Sequence, residues 1–261
     1  MYCGENSHRG ECMRLNELVY YLDNYLETDQ IADVCVNGLE VECGQEITKI
    51  ALAVDPAEQV FRKADQEGAQ LVLLHHGLFW KEAVPVTGPL YRRLRFLLRR
   101  DMAVYAAHLP LDVHEEVGHN AILAAMIGLS DQESLVLHNG KALGYIGLLP
   151  GIHRNDLADR LGTQLGVEPA LWTFGRENVS RVAVCSGKAD SELAEAYRRG
   201  CELYITGETS HNAFTMAQDM GINVLFLGHY GTETVGLKAL GEHLQARFGL
   251  ETVFIDHPTG L

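Results

Sequence analysis

A gapless internal match constrains this chain more than any other feature. Displaced by 132 residues, Thr48–His76 (TKIALAVDPAEQVFRKADQEGAQLVLLHH) lies over Ser180–Glu208 (SRVAVCSGKADSELAEAYRRGCELYITGE). The identities are few: Ala51 on Ala183, Ala57 on Ala189, Ala64 on Ala196, Gly68 on Gly200 and Leu71 on Leu203. The pattern says more, because an apolar strand, a helix, a glycine stop and a second apolar strand coincide over all 29 positions. A second displacement, of 121, sets Val104–Asp112 (VYAAHLPLD) over Leu225–Glu233 (LFLGHYGTE). Each half therefore reads strand, helix, strand, polar pair, helix, strand and His-x-x-x-carboxylate. An ancient duplication and a shared generic βαβ pattern both account for the match. Either way, short strands separated by ten-residue helical patterns mean βαβ units and largely parallel sheets, with ligand sites at the carboxyl ends of the strands.

The same alternation predicts individual elements. A helix is expected over Leu15–Leu26, a strand over residues 49–54, a helix over 56–67 and a strand at Leu71–Leu74. A helix over 89–100 and a strand over 102–106 complete the first half. Between the halves, 138–177 supplies a strand at 142–149, a helix through RNDLADRLGTQLG and a short strand at 170–173. That segment reads as the start of a second α/β domain, with a soft boundary near residue 130.

Bulk properties restrict the function classes. The 261 residues, 47% of them hydrophobic, suffice for one or two soluble domains. A formal net charge of −14 speaks against general affinity for nucleic acid or anionic membranes, while leaving room for a small phosphate ligand. The arginines at 92, 93, 95, 99 and 100 fall on a leucine-rich helical segment and read as a solvated face. Six cysteines without a C-x-x-C pair, and no signal peptide or long apolar span, predict free thiols in the cytoplasm. Cys3, His8 and Cys12 form a conceivable chelate in a polar leader, a weaker candidate than the groups below.

Those groups are His75 and His76, His108 and Asp112, Glu208 and His211, and His229 and Glu233, all at or just beyond strand ends. Neutral imidazole with carboxylate suits divalent zinc, iron, manganese or nickel. Adjacent histidines on a regular strand point to opposite faces, but where the backbone turns both rings can reach different points of one cleft. That suggests two ions, about 3.5–4 Å apart, sharing a carboxylate. Glu233, four residues after His229, is the natural bridge, and Asp112 closes one shell. His108, Glu208 and His211 are candidates for proton transfer or substrate contact. His8, His138, His153, His243 and His257 read as ordinary polar residues, and His114 and His119 as flanks of the helix after Asn120.

VNGLEV (Val36–Val41), LLHHGLFW, HLPLD, ITGETSHN and GHYGTE resemble, in order and spacing, the NIF-three-like family, also called GTP cyclohydrolase I type 2 homologues or dinuclear-metal-centre hexameric proteins. The motifs run from Asn37 to Glu233. The resemblance implies two pseudo-symmetric α/β domains with mixed, largely parallel sheets, the second inserted in the first. On that plan residues 1–129 and 226–261 form the metal-binding domain and 130–225 the insertion. It also implies a toroidal homohexamer and two metal ions per subunit, with His75, His76, Asp112, His229 and Glu233 as ligands. Glu40 departs from the glutamine that many members carry, away from these ligands. The implied chemistry is metal-dependent hydrolysis of a nucleotide-like small molecule, with purine C8 of GTP as one target and formate as the product. A phosphoesterase acting on small esters and a metal-handling protein without turnover are the alternatives. No phosphate-cradling G-x-x-x-x-G-K-[ST] loop is present.

Overall fold

The computed structural model describes residues 12–260, so Cys3 and His8 of the N-terminal chelate considered above lie outside the described residues. Two mixed sheets organise the chain, which is an α/β protein. The five-stranded sheet runs, in spatial order, Glu251–Phe254, Lys49–Ala53, Leu71–Leu74, Ala103–Ala106 and Gly38–Val41. Its first four strands are parallel and the last is antiparallel. The six-stranded sheet runs Ser130–His138, Lys141–His153, Asn178–Val184, Leu203–Thr206, Asn223–Phe226 and Ala170–Trp172, and its three strands from Asn178 to Phe226 in this order are mutually parallel. The C-terminal strand thus returns to pair with Lys49–Ala53 after the chain has built the other sheet.

Strand side chains alternate between two apolar layers, as the two-residue period of a strand requires. In the first sheet Ile50, Leu52, Leu71, Leu73 and Tyr105 face the helices Leu15–Leu26 and Val235–Phe248, while Ala51, Ala53, Val72, Leu74 and Val104 face Glu58–Gln66 and Gly88–Arg100. In the second, Val182, Val184, Leu203 and Ile205 face His119–Ile127 and Arg154–Leu165. Ala183, Cys185, Tyr204 and Val224 face Leu193–Arg198 and His211–Met220. Covered on both sides, the central strands are continuous apolar runs, the signature that made them legible in sequence.

The register tests the internal match. Ile50 pairs with Leu71 and Val182 with Leu203, which reproduces the displacement of 132. The next ladder departs by one: Leu71 pairs with Ala103, but Leu203 pairs with Asn223, an offset of 120 rather than the 121 that aligns His108 with His229. The second half therefore has one more residue between strand and histidine. Gly228, at φ 79°, accommodates it in a conformation that side chains disfavour.

The first strand of the six-stranded sheet was absent from the sequence reading. Ser130–His138 is polar and exposed along most of its length, which hides the apolar period of a core strand. Its turn did carry a signal: Asn139 and Gly140, both left-handed at φ 49° and 80°, join it to Lys141–His153 as a two-residue hairpin. Among the described residues, no helix is long and apolar enough to cross a membrane.

Candidate metal centre

The parallel strands end at one place, and the polar groups gather there. His75 and His76 follow Leu71–Leu74 directly, their backbone N–H groups donating to Ala53 and Val54 carbonyls so that both stay tied to the neighbouring strand. Their rings nevertheless lie 4.8 Å apart on one side, as expected where the strand turns away. Two short helical turns, Leu109–Asp112 and His229–Thr232, carry the chain back so that Asp112 and Glu233 re-enter the cluster from opposite halves.

Glu233, only 4% exposed, sits at the middle. Its Oε1 lies 3.1 Å from His229 Nε2 and 3.5 Å from His75 Nε2, and its Oε2 lies 3.3 Å from His76 Nε2. Asp112 Oδ2 is 3.7 Å from His75 Nε2. Three overlapping groups have potential ligand atoms within 4.8 Å of one another: His75, His76 and His108; His75, Asp112 and His119; His76, His229 and Glu233. These buried and half-buried His, Asp and Glu clusters could hold metal ions.

Ring orientation supports that capacity. His75 Nδ1–H donates to the Ala107 carbonyl at 3.0 Å and His76 Nδ1–H to Asp55 Oδ1 at 2.8 Å. His229 Nδ1 faces Glu208 Oε2 at 3.3 Å. Each partner can only accept, so Nδ1 carries a proton in each ring, and an inward Nε2 that yields its own proton to a cation becomes the ligand atom, as in metal-binding histidines. On the carboxylate side, Ser186 Oγ–H donates to Asp112 Oδ1 at 2.9 Å, and Asn120 bonds both the Asp112 carbonyl and the Ser186 N–H. Gly187, next in the chain, passes so close that a Cβ there would lie 2.2 Å from Glu233 Oε1.

The electrostatics describe a site short of positive charge. Burial pushes the His75 imidazole down, but Glu233 and Asp112 outweigh it and raise its pKa to about 9. His229 rises to about 8, chiefly through its hydrogen bond to Glu233, against burial and with help from Glu208. Burial first, and then the neighbouring Glu233 charge, lift the Asp112 carboxyl. Four buried side-chain polar atoms among the described residues lack a partner, and three belong here: His75 Nε2, His119 Nε2 and Glu233 Oε2. A buried polar atom without a partner is costly, so the unpartnered His75 Nε2 and Glu233 Oε2 fit a divalent cation well.

Of the residues selected from sequence, His75, His76, Asp112, His229 and Glu233 come together. His108 joins them, its ring 5.1 Å from that of His75. It does not pair with Asp112 as His229 pairs with Glu233. Instead its Nδ1–H donates to Asp33, at 3.0 Å. Glu208 reaches the cluster only through His229, and also lies 3.9 Å from Lys188 Nζ. His211 is exposed at the start of its helix and shares no hydrogen bond, ion pair or ring contact with the cluster. The sequence reading missed Asp33, Asp55, Ser186 and His119. Asp33 accepts hydrogen bonds from His108, Asn37 and the backbone at Cys35 and Leu109; burial works against its charge, yet these bonds hold its carboxyl well below the usual range. His119, read from sequence as a helix flank, does begin a helix, but its ring is fully buried 4.6 Å from that of His75.

Known proteins are similar to this chain over nearly its whole length. The chain is 42% identical over 250 residues to a protein of Archaeoglobus fulgidus named GTP cyclohydrolase 1 type 2 homolog, covering 95% of this chain and all of that one. Among solved structures it resembles TTHA1606 from Thermus thermophilus, with TM-score 0.88 and 43% identity over 95% of this chain and all of that one. The protein ybgI, described as of unknown function, gives TM-score 0.89 at 35% identity over the same shares. The model of one family matches residues 13–260, and the chain belongs to that family, Duf34/NIF3 (NGG1p interacting factor 3).

Proposed function

We propose that the centre holds two divalent cations and that the protein is a metal-dependent hydrolase of a small, nucleotide-like molecule. The placement of Glu233 carries the reading. A single buried carboxylate stands between His75 and His229 on one oxygen and His76 on the other, the place of a group shared by two ions. His75 and Asp112 would hold one ion, His76 and His229 the other, and Glu233 both. The nitrogen and oxygen donor set suits zinc, iron, manganese or nickel. Ions bound there supply an acidified water and polarise the electrophile.

The chain's own residues orient the groups of the centre. Asp55, the Ala107 carbonyl and Glu208 fix the three rings, and Ser186 fixes Asp112. His108, held by Asp33 through Nδ1, turns Nε2 toward the cluster and is the group placed to accept a proton and return it to a leaving nitrogen. The name shared by the relatives supports GTP as the substrate to try first, with opening at C8 and release of formate. The test is metal content per chain by elemental analysis, together with formate release from GTP by metal-loaded protein and its Glu233→Ala variant. Two ions per chain and formate release that the variant loses are expected. Fewer than two ions would refute the dinuclear reading, and two ions without formate would refute GTP and direct the search to small phosphate esters. We extend the proposal to assembly as a homohexamer, tested by light scattering for six times the chain mass.

A further inference from the structure

His119 breaks the pattern set by its neighbours. Its Nδ1 does not donate; it accepts the backbone N–H of Gly236 at 3.0 Å. A ring nitrogen that accepts an N–H carries no proton, so the neutral ring must carry its proton on Nε2. That Nε2–H is buried without a protein partner, at a residue with no exposed surface. The ring meets His75 edge-on at 80°, and one nitrogen of each ring and an Asp112 oxygen lie within 4.8 Å of one another. Around the same cavity His75 and His76 donate through Nδ1 and so leave Nε2 as the atom that can ligate. For His119 to ligate a cation through Nε2, it would have to lose its only ring proton and become an anion. The alternative is to lose the Gly236 hydrogen bond.

We infer that His119 is a hydrogen-bond donor in the centre and not a metal ligand, its Nε2–H serving an oxygen atom lodged beside His75 and Asp112. That oxygen belongs either to a water or to a bound oxyanion. Both accept a hydrogen bond from a neutral imidazole N–H, and both occupy a position that a donor of fixed direction would select. The role is distinct from that of the five proposed ligands, and it gives the cavity an oriented donor from the start of the helix His119–Ile127.

The decisive measurement is the tautomer, read from ring nitrogen resonances of protein labelled with 15N-histidine, metal-free and zinc-loaded, and assigned by their loss in His119→Asn or His119→Gln. A proton on His119 Nε2 in both states is expected. A proton on Nδ1, or loss of the Nε2 proton on zinc loading, would overturn the inference without recourse to any variant's activity. His119→Asn places an acceptor near the Gly236 N–H and removes the donor, whereas His119→Gln places a donor where Nε2 stood. Zinc per chain should be unchanged in both, while His75→Asn loses it; a loss in folded His119→Asn equal to that of His75→Asn would make His119 a ligand. Inorganic phosphate then separates the two oxygens. Binding about tenfold weaker in His119→Asn and restored in His119→Gln identifies an oxyanion, and unchanged binding with the Nε2 proton and full zinc identifies a water. The zinc arms rest on the proposed function. A protein that takes up none of zinc, iron, manganese and nickel would refute that proposal, while the metal-free tautomer would still decide this one.

Discussion

Replacing Gly187 by alanine should weaken metal binding at the centre without replacing a ligand. Gly187 has φ +62°, and an added Cβ would lie 2.2 Å from Glu233 Oε1, 3.3 Å from its Cδ and 3.5 Å from His229 Nε2. Ordinary contact begins near 3.4 Å, so the carboxylate must retreat by about 1 Å. The glycine itself is pinned: its N–H donates to Thr232 Oγ1, and its carbonyl accepts from the N–H groups of Gly207 and Glu208. Glu233 therefore absorbs the displacement. Metal–ligand distances tolerate only about 0.2 Å, and disturbing a group that merely supports ligands already costs about 10- to 100-fold in affinity. A loss toward the upper end of that range is expected for Gly187→Ala, measured by competition with a chelator of known affinity.

The left-handed backbone adds its own cost of about 1–2 kcal/mol in stability, equivalent to a Tm lower by about 2–4 °C per kcal/mol in a chain of this size. Gly68→Ala separates the two effects, because Gly68 has φ +75° with nothing within 4 Å of the added Cβ. It should melt earlier and keep its metal. Wild-type metal affinity in folded Gly187→Ala would refute the reasoning, since the carboxylate would then not be needed where the structure places it.

Two further perturbations probe the surroundings. Asp55→Ala removes the acceptor that orients His76, so metal affinity should fall about 10- to 100-fold with the melting temperature of the metal-free protein little changed; chelator competition showing equal affinity would refute that orienting role. Glu40 accepts the N–H groups of Leu78 and Phe79, beneath the turn that follows His76, and burial, opposed by these two bonds, raises its carboxyl to about 7. A carboxyl raised in the folded state contributes stability that is full below its unfolded pKa near 4.5 and is lost as pH rises through 7, about 3 kcal/mol in all. Glu40→Gln removes that titration, so the wild-type-minus-variant difference in urea stability should shrink between pH 4.5 and 8, and a constant difference would refute the assignment.

The parts of the site that were legible in sequence are those attached to strand ends. His75 and His76 follow an apolar run too regular to be missed, and His229 and Glu233 repeat the spacing of His108 and Asp112. That spacing did not imply equal contacts: His229 bonds its own i+4 carboxylate, while His108 turns to Asp33, 75 residues earlier. Ser186 reaches Asp112 across 74 residues, and Gly236 reaches His119 across 117. No local pattern marks Asp33, Asp55 or Ser186, because a single hydrogen-bonding side chain has no period.

The sequence by itself determined the alternation of strands and helices, the largely parallel character of the sheets and the strand ends at which the imidazoles and carboxylates would emerge. These follow from side-chain periodicity, and periodicity is a property of the local chain. Only the tertiary structure decided which nitrogen of each ring faces inward, that Glu233 stands between His75 and His76, and that His119 enters the centre while His211 stays outside. Those outcomes depend on what lies across the cavity. A ring takes the tautomer that its partner allows, and the partner is chosen by how two sheets, built from distant segments, bring their ends together.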